Sequence, residues 1–94
     1  MVHDTEEAEN DLFEIAAYTW TEWGEDQAVR YLELVRDTCE DTIPRKHGFA
    51  RSVPRRPGLL RWRCERHVVY VRTVDDGVEI VRILHDRMLP SQHL

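Results

Sequence analysis

Three strand-like runs, LLRWRC (59–64), HVVYVRTV (67–74) and VEIVRILH (78–85), follow one another with almost nothing between them. Only Glu65 and Arg66 separate the first two, and Asp75, Asp76 and Gly77 separate the last two. Connections that short join antiparallel neighbours, because a parallel pair needs a crossover of a dozen or more residues. The segment is therefore expected to form an antiparallel meander. A three-residue turn at 75–77, with Gly77 at positive φ beside a bulge, sets the expected register. It puts Val69, Val71, Val81 and Ile83 on one face, extended by Leu60, Trp62 and Cys64. Tyr70, Arg72, Ile80 and Arg82 then share the other face. A two-residue turn would spread the arginines over both faces.

Upstream, the apolar period changes to that of a helix. Ala8, Leu12, Ile15, Ala16, Thr19 and Trp23 recur at helical spacing, with Thr5 placed to cap the N-terminus and Glu6, Glu7 and Glu9 in the first turn. Gly24 ends this helix. A second stripe, Ala28, Tyr31, Leu32, Val35, Cys39 and Thr42, runs to Pro44, which is expected to stop it. Two such helices joined at a glycine make an antiparallel hairpin. Residues 44–58 are rich in Pro, Gly and Arg and read as one long surface loop. The expected fold is a two-layer α+β domain, with the helix hairpin on one face of a small antiparallel sheet and the other face open.

Ninety-four residues with 41% hydrophobic content suit one domain over 1–94. No run approaches the ~20 apolar residues of a membrane span, and MVHDTEEAEN lacks the build of a signal peptide, so a cytoplasmic location is expected. Cys39 and Cys64 are then expected to be buried, reduced thiols. The histidines lack zinc-ligand spacing, and neither a metal nor a cofactor is expected. Residues 1–44 hold thirteen acids and two bases, whereas 45–94 hold five acids and eleven bases. Trp20, Trp23 and Trp62 read as packing residues.

The open face, carrying Tyr70, Arg72, Ile80 and Arg82 with the arginine-rich loop beside it, has the partly apolar, cationic character of a peptide receptor. The plainer alternative pairs Arg72 with Glu79 and Arg82 with a nearby acid, as surface contacts worth under ~1 kcal/mol each.

The ordered set YTW (18–20), WGEDQA (23–28), RPGL (56–59), HVVYVR (67–72) and DDGVEIVRILHDRM (75–88), closing on HL, resembles the ParE toxins of the RelE/ParE superfamily. The resemblance covers residues 5–94. It implies a toxin of a type II toxin–antitoxin pair that inhibits DNA gyrase. A ParD-type antitoxin would neutralise it in a hetero-oligomer, with a heterotetramer expected. The toxin is expected to work by binding rather than catalysis, with no direct nucleic-acid contact and no membrane role. The antitoxin is expected at Tyr70, Arg72, Ile80, Arg82, Arg55 and Arg56, and gyrase inhibition at Arg82, His85, Arg87, Met88, His93 and Leu94. In this chain MVHD stands where the family has a regular first strand, so that strand is expected to be short or frayed. The tail reads MLPSQHL, a departure from the family pattern. Two other readings follow from the same resemblance. One is a RelE-like ribosome-dependent mRNA nuclease built on Arg72, Arg82 and His85, disfavoured by the single Lys46 and a tail without tyrosine. The other is an inactive relative that only binds the antitoxin and helps repress its operon.

Overall fold

A computed structural model describes all residues, 1–94. Thr5 caps helix α1 (Glu6–Trp23) as its sequence position requires, its Oγ1 accepting the Ala8 N–H at 3.0 Å. Gly24, at φ 87°, turns the chain into α2 (Glu25–Asp37). Proline does not end this second helix. A π-turn over Thr38–Thr42 widens the backbone by one residue, and α3 (Ile43–Lys46) follows with Pro44 in its first turn. The backbone stays helical through this stretch, with the Ile43 N–H reaching back to the Thr38 carbonyl, and the widened turn accommodates a proline that has no N–H to donate.

The expected long loop carries more order than its composition announced. After α3 come a 3₁₀ turn (His47–Phe49) and a two-residue strand, β2 (Arg51–Ser52), which pairs antiparallel with β3 (Leu59–Cys64). Strands β4 (His67–Val74) and β5 (Gly77–His85) complete the meander, and a short helix α4 (Pro90–His93) follows. The first strand, β1 (Val2–Asp4), is short as expected and lies parallel to β5, with Val2 opposite Val78 and Asp4 opposite Ile80. The sheet is thus mixed, in the order β1-β5-β4-β3-β2, with the helix hairpin on one face.

Register is where the structure corrects the sequence reading. Val74 pairs with Gly77, so only Asp75 and Asp76 form the turn. The extra residue sits further along: Tyr70 faces Arg82 and Val71 faces Ile80, which leaves Val81 as a bulge. A bulge resets the alternation of faces within one strand. Val78, Ile80 and Ile83 therefore point to the helices, with Val69 and Val71, and Ile80 is completely buried. Val81 joins the opposite face with Val68, Tyr70 and Leu84. Thus Ile80 and Val81 exchange the faces expected of them. The opposite face is not open either, because Val53 and Leu94 pack onto its strand residues Leu59, Val68, Tyr70 and Leu84.

Gly77 has φ 151°, and a Cβ there would lie 1.8 Å from the Met1 carbonyl oxygen, which accepts the Val78 N–H at 3.1 Å. Gly77→Ala is expected to push β1 away from the sheet at a cost of about 1–3 kcal/mol. Faster hydrogen exchange at the Val78 amide, with a lowered melting temperature, would register this; an unchanged amide would show that the edge does not depend on this close approach.

The two cysteines are buried and unpaired. Burial pushes the Cys39 thiol up to about 12, and Cys64 Sγ lies 3.3 Å from Thr38 Oγ1. Trp62 is half-buried against the core as expected, but Trp23, the last residue of α1, is 61% exposed. Trp20 is exposed as well.

Candidate functional site

Beyond Asp4, the outer edge of β5 has no strand beside it, and its backbone groups need other partners. Helix α1 supplies them. Thr5 Oγ1 donates to the Val81 carbonyl at 2.6 Å, and Asp11 Oδ2 accepts the Ile83 N–H at 2.9 Å. The same carboxylate takes a two-pronged bond from Arg82, with Nε and Nη2 each at 2.8 Å. The Asp11 side chain is 7% exposed and that of Arg82 21%. The hydrogen bond to Asp11 raises the guanidinium above its ordinary range. Arg82 therefore does pair with an acid, but a buried one that also closes a sheet edge, and not as a surface contact.

The other expected contact residues are dispersed. Arg72 bonds Glu79 at 3.1 Å in an exposed pair. Tyr70 is 3% exposed and Ile80 completely buried, so neither offers side-chain surface. Arg55 and Arg56 are exposed, and Arg56 donates to the Leu94 carbonyl oxygen while Arg82 Nη1 donates to that of His93 at 2.8 Å. These two arginines fasten the tail across the sheet face, where Leu94 adds to the cluster of Val53, Leu59 and Tyr70. Arg87, Met88 and His93 stay exposed. No group of three or more His, Cys, Asp or Glu side chains is arranged to hold a metal ion.

His85 faces the other way, into a trough between the helix hairpin and the ends of β4 and β5. Two adjoining cavities of about 310 and 300 Å³ share Tyr18, Thr19, His67 and His85 at their junction. One end is walled by Trp23, Gln27, Tyr31 and Arg66, the other by Ile15, Ile83 and Met88. Tyr31 Oη lies 2.6 Å from His67 Nδ1 and accepts the Arg66 N–H at 3.3 Å. The His67 ring meets His85 edge-on at 5.3 Å between centroids. Burial, helped by the neighbouring His85, lowers His67 to about 4, and burial raises the Tyr31 phenol. Tyr31 was expected only to fill the helix stripe. A tyrosine on a buried stripe, whose hydroxyl needs a partner, was the one sequence signal that polar chemistry lay beneath α2.

The nuclease arrangement expected of Arg72, Arg82 and His85 requires the three to converge on one phosphate. Arg72 is held on the face of the sheet opposite the helices, Arg82 is tied to Asp11, and His85 lines the helix-side trough.

Comparison with known proteins gives a consistent picture. The family described as "ParE toxin of type II toxin-antitoxin system, parDE" matches residues 2–90. A Toxin ParE from Escherichia coli is 34% identical over 85 residues, spanning 89% of this chain and 82% of the relative. A Toxin ParE1 from Caulobacter vibrioides is 35% identical over 88 residues, spanning 93% and 90%. Among solved structures, a chain from the chromosomal ParDE system of P. aeruginosa aligns with a TM-score of 0.71 at 17% identity, over 89% of this chain and 92% of that one. A chain of the RelBE2 toxin–antitoxin complex from Mycobacterium tuberculosis aligns with a TM-score of 0.68 at 20% identity, over 90% and 95%. At those identities the structural likeness speaks for the fold.

Proposed function

Because this chain belongs to the ParE toxin family of type II toxin–antitoxin systems, we propose that it inhibits DNA gyrase in the cytoplasm and is neutralised by a ParD-type antitoxin. The observation that carries a binding role over a catalytic one is the dispersal of the groups a nuclease would use. Arg82 is tied to Asp11, Arg72 lies beside Glu79 on the face opposite the helices, and His85 lines the helix-side trough, so the three do not converge on one phosphate. What the chain does have free is Arg87 and Met88 on the segment after β5, with His93 in the tail. These, beside His85, are the proposed gyrase contacts, while Arg82 and Leu94 position the tail that bears them. Arg55, Arg56 and Arg72 supply the cationic surface for an acidic antitoxin segment, and Tyr70 forms part of the floor beneath it, whereas Ile80 lies in the helix-side core and takes no part. The toxin would sit with its antitoxin in a heterotetramer.

The test is DNA supercoiling by purified gyrase with the protein titrated in, beside a ribosome-programmed mRNA cleavage assay on the same preparation. Inhibition with intact mRNA is expected. Arg87→Ala, an exposed change, should weaken inhibition tenfold or more yet alter antitoxin affinity less than tenfold, or about 1.4 kcal/mol. Cut mRNA with unaffected gyrase would move the chain to the nuclease reading; no effect on either would leave only antitoxin binding.

A further inference from the structure

The trough between the hairpin and the ends of β4 and β5 has a polarity that the preceding reading does not use. At one end lies the Arg66 guanidinium, at the junction the two imidazoles, and at the other end Ile15, Ile83 and Met88, with Asp11 and Glu14 on its helix side. Tyr18 stands at the junction and Trp23 beside the cationic end, both exposed.

Hydrogen bonding shapes what the polar end offers. The Arg66 N–H donates to Tyr31 Oη, and we assign the phenolic hydrogen to the 2.6 Å contact with His67 Nδ1. That makes Nδ1 an acceptor and places the proton of the neutral ring on Nε2. His85 Nδ1 accepts the Arg87 N–H at 3.2 Å, which again leaves the ring proton on Nε2. If the ring takes a second proton, Asp86 Oδ1 at 3.1 Å receives the new Nδ1–H, and Nε2 remains a donor. Both histidines thus carry an Nε2–H donor, and Arg66 forms no ion pair with any acid of the chain. Arg66, a cation without an acidic partner, together with imidazole N–H donors and aromatic walls, is complementary to a carboxylate on or beside an apolar side chain. Glu14 at the apolar end disfavours a second anion there.

We propose that this trough is a docking site for an acidic peptide segment of a partner protein, which sets a carboxylate against Arg66, His67 and His85 and an apolar side chain over Ile15, Ile83 and Met88. Naming that partner the antitoxin rests on the function proposed above; the chemistry of the site does not. If it is the antitoxin, its seated segment covers His85 and Met88, so antitoxin and gyrase would exclude one another at this trough.

The test uses the full chain and three small probes of one shape: 3-phenylpropionate, 3-phenylpropanamide and 3-phenylpropylammonium. Ring resonances of His67 and His85 are followed by NMR at pH 7.5. The carboxylate is expected to shift both rings saturably and to bind at least fivefold more tightly than the amide, with the ammonium weakest. Arg66→Gln should reduce the carboxylate to the amide's affinity, and Tyr18→Ser should weaken both; each side chain is exposed, so the fold should stand. Equal affinity for the three probes, tighter binding of the ammonium, or shifts elsewhere alone would overturn the proposal. Gyrase inhibition is read independently: its absence beside selective carboxylate binding refutes the proposed target and leaves the trough standing. An antitoxin of full affinity that ignores Arg66→Gln binds by another surface and refutes the trough as its seat.

Discussion

Asp11→Ala should cost this domain about 3–5 kcal/mol, the largest loss expected from any single polar substitution in it. Asp11 does three things at once. It accepts both prongs of Arg82 at 2.8 Å, it satisfies the Ile83 N–H on an edge without a strand beside it, and it fastens α1 to β5. Alanine removes all of these, leaving the Ile83 N–H without a partner and the Arg82 guanidinium with only its Nη1 bond to the His93 carbonyl. A penalty of that kind exceeds the worth of the interaction itself. For a chain of this length it should lower the melting temperature by about 15 °C or more. Asp11→Asn keeps an acceptor for Ile83 but loses the charge, and should fall between. The discriminating variant is the double change Asp11→Leu with Arg82→Met, which removes both charges and should recover a good part of the loss. Thermal and urea unfolding of the four proteins would decide it. A cost below about 1 kcal/mol for Asp11→Ala would place the pair among ordinary surface contacts.

This pair also shows where the sequence was legible and where it was not. Both hairpin helices, the Thr5 cap, the Gly24 turn and the three long strands follow from local period and capping chemistry, which need only neighbouring residues. Asp11 had a signal: it lies between Ala8 and Ile15 at helical spacing, an acid on a buried stripe. An acid there demands a cationic partner, but Arg82 lies 71 positions away and nothing local selects it. The bulge at Val81 was hidden for a different reason. In VEIVRIL either phase of alternation puts apolar residues on both faces, so the arginines were used to choose the register. That choice assumed Arg82 must avoid the helix layer, whereas its long side chain reaches α1 at the sheet edge. The π-turn before Pro44 and the two-residue β2 were equally beyond periodicity, being too short to show one. The trough was beyond it as well, since Tyr18, Tyr31, His67 and His85 come from four elements or their ends.

Acid should weaken the fold through His67, and the sign follows from its environment. Burial, seconded by the neighbouring His85 and opposed by Asp86 and Asp11, lowers this imidazole from an ordinary 6.5 to about 4. Between those values the unfolded chain holds a proton that the folded chain refuses, so stability rises with pH across the window. Its contribution is therefore complete above about pH 6.5 and is lost as the pH falls toward 4. At pH 4.5 the loss should be about 2 kcal/mol relative to pH 7, from a shift worth about 1.4 kcal/mol for each pH unit. Other groups titrate in acid too, so the comparison must be with a variant that lacks only this one. His67→Gln can still accept from Tyr31 but cannot take up the proton. Measured by urea unfolding at pH 7.0 and 4.5, it should lose about 2 kcal/mol less than the parent over that interval. Parallel losses in the two proteins would mean that His67 protonates in the folded state near its ordinary value. Neither Tyr31 nor the surrounding core would then be holding it neutral in acid, although its Nε2–H would remain a donor in either protonation state.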